Sequence, residues 1–321
     1  MFAAYVERPD ADDPLSALVV GERPDPVVPD GWTTVEVRAA SVNHHDVWSL
    51  RGVGLKDEFL PMILGCDAAG IDEDGREVIV HGVISTPEWT GDETLDPRRT
   101  LLSEKHQGTF AERVAVPRRN VVPKPAGLSL EAAACLPTAY LTSYRMLFTQ
   151  TDLQPGDTVL VQGASGGMST SLIMLARAAG LRVWVTSRDE ASRERASTIG
   201  AHETFASNER LPERVDAVME TIGRATWSHS IKSLRPGGTL VTSGATSGDL
   251  EKGELRHVFF RQLKIHGSTM GTRDELDALA RFMAEHRVEP LVERVLPMDR
   301  VADGIRAVKD GEVFGKIVLT R

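Results

Sequence analysis

In the first third of the chain, apolar and polar residues alternate in short runs broken by Pro and Gly. Residues 33–39, 77–83 and 111–116 read as short strands of a β-rich domain, divided by turn residues. Between them and the next regular pattern, residues 84–107 form a polar stretch longer than most connections, which is expected to be a functional loop rather than a linker. After Pro123 and Pro125 the period lengthens, and residues 129–148 read as a helix with Ser129 at its N-cap and Glu131 in its first turn. From Asp157 onward, strand-length apolar runs at 158–162, 182–187, 217–221, 239–243 and 263–267 are separated by crossover-length segments. Two of these are helical, at 167–179 and 190–199. Strands joined by such crossovers pair in parallel, so the expected fold class is α/β with a doubly wound parallel sheet. Pro236-Gly237-Gly238 reads as the turn into the fourth of these strands. Helices at 274–285 and 299–308 and a strand at 316–320 complete the pattern.

Composition narrows this picture. At 321 residues the chain exceeds the usual size of one core, so two domains are expected. The 37 Lys and Arg against 46 Asp and Glu leave a net charge of −9, which argues against nucleic acid as a partner. Cys66 and Cys135 are too few for a disulfide framework or a four-cysteine zinc lobe, and fit a reducing, cytoplasmic setting. Glu7, Arg8, Asp10, Asp12 and Asp13 exclude a secretory apolar core at the start, and no long apolar run suggests a membrane span.

The strand at 158–162 runs into Gly163-Ala164-Ser165-Gly166-Gly167-Met168-Ser169 and then a helix. Glycines there permit close backbone approach, and the helix aims free N–H groups at a pyrophosphate. A tight strand-to-helix turn would use the same glycines, but the surrounding strand–helix–strand unit favours a dinucleotide. Ser169 departs from the usual third glycine and implies a wider helix-to-strand approach or a small side chain that still fits. The second strand ends Val185-Thr186-Ser187-Arg188, with no carboxylate to bond a ribose 2′-hydroxyl. Ser187, Arg188 and Arg193 are therefore expected to receive a 2′-phosphate, making the cofactor NADP(H). The competing reading is a solvated helix face shared with Asp189, Glu190 and Glu194.

With these residues placed, the whole chain resembles the medium-chain dehydrogenase/reductase superfamily, in its zinc-free, quinone oxidoreductase-like branch. The segments that carry the resemblance are Ala39-Ala40-Ser41-Val42-Asn43-His44-His45-Asp46, Leu64-Gly65-Cys66-Asp67-Ala68-Ala69-Gly70, Gly108-Thr109-Phe110-Ala111-Glu112 and Leu136-Pro137-Thr138-Ala139-Tyr140-Leu141-Thr142-Ser143-Tyr144. The glycine turn, Leu234-Arg235-Pro236-Gly237-Gly238 and Gly315-Lys316-Ile317-Val318-Leu319 add to them. The resemblance implies a Rossmann domain (125–268) inserted in a GroES-like catalytic domain made of 1–124 and 269–321, with the active cleft at their junction. It also implies that Thr142, Gly223, Gly244, Ala245, Thr246 and Lys316 line the cofactor. Relatives with catalytic zinc take ligands from positions held here by Asn43, Cys66 and Thr138, a set that cannot supply three metal ligands. No metal is therefore expected. The cluster His44, His45, Asp46, Cys66 and Asp67 raises a competing metal reading, opposed because adjacent histidines on an extended segment point apart.

Without a Lewis acid to polarise an isolated carbonyl, a conjugated acceptor becomes the expected substrate, because the charge left by hydride addition is already delocalised. The reading is a zinc-independent NADPH-dependent oxidoreductase acting on a quinone or α,β-unsaturated carbonyl. Asn43 is expected to donate to the substrate oxygen or position the nicotinamide ribose, and Tyr140 or His44 to supply a proton. Each has a structural alternative: a loop-capping amide, a packed helix residue and a surface or satisfied core side chain. Two other functions stay open, a metal-using alcohol dehydrogenase or carbonyl reductase and a non-catalytic NADPH-binding regulatory protein. The strand at 263–267 would be a sheet edge in the family topology, which suggests a homodimer.

Overall fold

The computed structural model describes residues 1–249 and 252–321. Packing divides the chain into two units, Met1–Leu141 with Met270–Arg321, and Thr142–Thr269.

In the first unit the strand Trp32–Ser41 is central. It pairs antiparallel with Ala68–Asp72, with Arg113–Pro117 and with the last strand, Lys316–Thr320. Thr33, Val35 and Val37 alternate into the core as the sequence pattern requires. A register shift then turns Ala39, Ala40 and Ser41 all inward, so Ser41 faces Val318 of the final strand. Gly70 is obligatory at this seam, since a Cβ there would lie 2.0 Å from the Glu36 carbonyl oxygen. Val35, Val37, Leu50, Met62, Leu64, Phe110, Ile305, Ile317 and Leu319 form one buried cluster, so the return segment shares a core with the N-terminal strands.

Residues 125–141, grouped with the dinucleotide-binding part on sequence grounds, pack in the first unit. Their helix Leu130–Ala134 lies on Trp32–Ser41 and Ala68–Asp72. The continuous helix expected over 129–148 is instead a helix with two widened π turns, Leu136–Tyr140 and Arg145–Thr149. Pro137 lacks the N–H that would close a regular turn, which accounts for the first of them. Ser129 caps as expected, accepting the Ala132 N–H at 3.1 Å.

The second unit is a six-stranded parallel sheet in the order Glu203–Ala206, Arg182–Ser187, Thr158–Gln162, Val215–Glu220, Leu234–Thr242, Lys264–Gly267. The order reverses beside Thr158–Gln162, and ligands of such sheets bind beyond the carboxyl ends of the strands at this switch point. Pro236-Gly237-Gly238 is not a turn between elements: the strand Leu234–Thr242 begins at Leu234, opposite Val215, and resumes at Thr239, opposite Ala217, so these residues bulge out within it. Among the described residues no helix is long and apolar enough to cross a membrane.

Candidate functional site

In the second unit, Thr158–Gln162 leads into Gly163 at φ +89°, whose N–H donates to the Thr186 carbonyl at 2.9 Å. The helix Gly167–Ala178 follows with Gly166 as its N-cap, which has no side chain to cap the first turn and open space where a Cβ would stand. The first backbone N–H groups of that helix thus lack a side-chain cap, as a bound pyrophosphate requires. Ser169 fits because of Gly163: its Oγ lies 3.1 Å from the position a Gly163 Cβ would occupy. The serine fills the space left by the missing side chain, which resolves its departure from the glycine pattern. Ala164 is buried, and the Met168 carbonyl accepts from Ser143 and Ser171, fixing the turn from below.

Ser187 ends its strand, and Arg188 just beyond it is exposed and makes no ion pair among the described residues. Asp189 caps the helix Glu190–Thr198, accepting the Ser192 N–H and hydroxyl, so its carboxylate is committed there. Arg193 turns back instead, donating to the Ser187 carbonyl at 2.8 Å. Of the two guanidinium groups expected at a 2′-phosphate, Arg188 is free to meet one and Arg193 braces the strand end. Gly223, at φ +86°, has the Gly248 carbonyl 2.6 Å from its absent Cβ, and Gly244 has Thr221 carbonyl at 3.0 Å. Ser247 N–H donates to Ile222 O, and Thr246 Oγ1 to Thr221 O, zipping these two loops together with Ala245 between them. Thr142 is buried at the start of the unit.

Sequence reasoning missed a buried network joining these strand ends. Glu220 accepts from Ile222 N, Gly223 N, Thr226 Oγ1 and Ser230 Oγ. Gln162 donates to Ser230 Oγ and accepts from Thr186 Oγ1, so three adjacent strand ends are tied through side chains. Thr186 and Gln162 flank the glycine turn, the one local signal that could have raised the expectation.

The first unit holds a second polar site, built around a buried carboxylate. Asp67 accepts from Ser41 Oγ at 2.7 Å, Asn43 Nδ2 at 2.7 Å and Thr138 Oγ1 at 2.6 Å, and Lys316 Nζ lies 3.5 Å away. Lys316, 3% exposed, also donates to Val42 O at 3.0 Å and to Asn43 Oδ1 at 2.6 Å. Three ammonium protons therefore meet three acceptors inside this unit. Asn43 is likewise committed: its amide donates to Asp67 and to Ser41 O, and its oxygen accepts from Lys316. Its amide thus braces the cluster.

Asn43, Cys66 and Thr138, the positions that the resemblance matches to zinc ligands, are drawn together. Cys66 Sγ is 3.9 Å from Asn43 Nδ2 and 3.3 Å from Thr138 Oγ1. Burial pushes the Cys66 thiol up, so it stays protonated. Among the described residues no group of three or more His, Cys, Asp or Glu side chains is disposed to hold a metal ion.

Asn43 also begins the helix His44–Leu50, with Asp46 accepting the Asn43 N–H at 2.8 Å. Burial raises Asp46 to about 6, although His45 and the Asn43 N–H oppose that rise. His44 is exposed on this helix against Trp48, its imidazole held below the usual value by partial desolvation and Arg51. Tyr140 is fully buried and accepts the Leu291 N–H at 3.1 Å, and burial pushes its phenol up. The Asp67 cluster also has a histidine beside it: His45, which contacts the Cys66 thiol and lies 3.2 Å from Glu104 Oε1.

Residues 29–126 match the model of the alcohol dehydrogenase GroES-like domain, and residues 167–285 that of the zinc-binding dehydrogenase. The chain is similar to acryloyl-coenzyme A reductase of Metallosphaera sedula, at 29% identity over 94% of this chain and 96% of that one. Among solved structures, one described as an NAD-dependent alcohol dehydrogenase superposes with a TM-score of 0.92, at 34% identity and full coverage of both chains. Another, the 2-octenoyl-CoA carboxylase reductase CinF in complex with NADP and 2-octenoyl-CoA, gives 0.90 at 25% identity, covering 99% of this chain and 87% of that one.

Proposed function

The chain belongs to the medium-chain dehydrogenase/reductase superfamily, and from that premise we propose that it reduces an α,β-unsaturated acyl thioester with NADPH, without a divalent ion. The observation that carries the reading is the Asn43–Cys66–Thr138 triad: a protonated thiol between an amide and a hydroxyl, the last two bonded to Asp67. Such a set offers no second anionic or imidazole ligand, so carbonyl polarisation by a metal has no support in it. A conjugated thioester needs less of it, since its enolate is delocalised. The similarity to an acryloyl-coenzyme A reductase over nearly the whole chain supports the thioester over the quinone.

The dinucleotide, when bound, supplies the hydride. The backbone of Gly163, Ala164, Ser165, Gly166, Gly167 and Met168 would hold its pyrophosphate, and Ser187 with Arg188 its 2′-phosphate. Gly223, Gly244, Ala245, Thr246 and Thr142 would line the rest of its length. Lys316 pairs with Asp67 while Asn43 hydrogen-bonds to both, which keeps the triad fixed. The edge strand Lys264–Gly267 and the exposed Leu255, Phe259 and Phe260 beside it support a two-fold dimer, checked by the mass in solution.

A second reading, a metal-using alcohol dehydrogenase, is favoured by the 34% identity to the NAD-dependent enzyme. A panel of enoyl thioesters, enones, quinones and simple alcohols, run on chelator-treated protein and followed by nicotinamide absorbance, separates the two. Thioester reduction with NADPH supports the proposal. Alcohol oxidation that returns only with zinc overturns it.

A further inference from the structure

The segment 84–107 has no role in the reading above, yet it ends in an unusual piece of construction. Residues 100–106 fold back on themselves, with Ser103 N–H donating to His106 O at 2.8 Å and Leu102 N–H to Gly82 O. Ser103 is fully buried at φ +67°, a left-handed conformation that costs a non-glycine residue on the order of 1 kcal/mol. That bend delivers Glu104 to His45. Glu104 Oε2 accepts the Leu101 N–H at 3.2 Å and Thr100 Oγ1 at 3.5 Å, while Oε1 lies 3.2 Å from His45 Nε2. Gly54 leaves room for the carboxylate, since a Cβ there would stand 3.3 Å from Oε1. The other ring nitrogen, Nδ1, lies 3.5 Å from Ser103 Oγ. One carboxylate, itself held by two further donors, thus fixes one edge of an imidazole whose side chain keeps 20% exposure.

Resting on the enoyl-thioester reading, we infer that His45, backed by Glu104, is the proton donor of the reduction, and that the long loop serves to place Glu104 against it. Hydride adds to the β-carbon, and the C=C electron pair moves toward the thioester as an enolate. The imidazolium N–H bond then breaks as a C–H bond forms at the α-carbon. The neutral imidazole then regains a proton from solvent. Thiols, phenols and carboxylic acids nearby do not serve equally. Cys66 and Tyr140 are fully buried with their protons held tightly, and both oxygens of fully buried Asp46 accept backbone N–H groups, from Asn43 and Gly65. His44 is held below the usual imidazole value and so carries little charge near neutral pH.

The groups facing His45 agree with this role. Asp46 on its own helix, Cys66 from the turn before Ala68–Asp72 and Glu104 from the loop surround it, while Asp67 and Lys316 beyond them pair with each other. Burial works against the imidazolium, but the Glu104 carboxylate at Nε2 and the nearby Asp46 outweigh it and hold the ring above the usual imidazole value. Glu104 is held low by His45 and the Leu101 N–H although burial opposes this. The pair is an ionised dyad, with the carboxylate steadying the charged form that donates.

The test uses the full chain, NADPH and a short enoyl thioester. His45→Gln is expected to lower kcat by about 100-fold or more with NADPH affinity unchanged. Glu104→Gln should keep activity at low pH and move the alkaline limb of the kcat profile to lower pH. NMR titration of the His45 ring in wild type and in Glu104→Gln reads the same coupling without turnover, and a fall in its pKa on losing the carboxylate is expected. A His45→Gln variant within twofold of wild type with an unmoved pH profile, or a His45 pKa indifferent to Glu104, overturns the inference alone. Wild type that reduces no enoyl thioester removes the underlying reading, and the inference with it.

Discussion

The two polar sites differ in what they are made of. The turn at Gly163–Ser169 works through backbone: glycines, a helix start with no side-chain cap, and a serine that fills the space of an absent Cβ. The Asp67 cluster works through side chains brought from four separate segments, with Lys316 arriving 249 residues after its carboxylate. A backbone site is written in consecutive residues and tolerates change around it. A side-chain site of this kind stands or falls with the fold that assembles it, so damage to it should be felt first as instability, and damage to the turn first as lost affinity.

The largest expected effect is in the cluster. Lys316→Met leaves Asp67 a buried carboxylate without a cation, which costs about 3–5 kcal/mol of stability by urea unfolding. Adding Asp67→Leu should return part of that loss, and a stability of Lys316→Met equal to wild type would contradict the pairing. Next is a pH effect in the same unit. His81 is fully buried, bonds Gly271 O at 2.9 Å, and is pushed down to about 4 by burial. Its neutral form is the folded one, so its contribution is complete above the usual imidazole value near 6.5 and is lost as pH falls through about 4. The full swing is up to about 3 kcal/mol. Asp46, raised to about 6 by burial, acts in the opposite sense as pH climbs through that value. The measurement is therefore the difference between wild type and His81→Gln, which should flatten on the acid side.

Smaller effects belong to the turn. Gly163→Val forces a branched residue to φ +89° against Ser169 and should cost about 1–3 kcal/mol of stability, with a larger proportional loss of NADPH affinity. Equal NADPH affinity in this variant would break the contrast between the two sites. Last, Arg188→Glu should weaken NADPH by about tenfold or more, near 1.4 kcal/mol, and leave NADH within a factor of a few.

The same contrast explains what could be read in advance. The parallel sheet was legible because its strands are continuous apolar runs with helices between them, and the glycine turn because it is contiguous. Glu203–Ala206 escaped notice: Glu-Thr-Phe-Ala is short, and only two of its four side chains are even partly buried. The widened turns at 136–140 depended on how Pro137 is accommodated inside a helix, a tertiary matter. Asn43 and Lys316 were recognised as important residues, yet their orientation toward Asp67 was invisible, since no local pattern links positions 43, 67 and 316. His45 and Glu104 were missed as a pair for the same reason, with 59 residues and a left-handed Ser103 between cause and contact.

The most direct test of the whole reading is calorimetric titration of NADPH and NADH into chelator-treated protein, repeated with Arg188→Glu. One NADPH per chain, bound about tenfold or more tighter than NADH, with the preference erased in the variant, is the expected result. No binding of NADPH, or equal affinity for both dinucleotides in the unaltered protein, would contradict it.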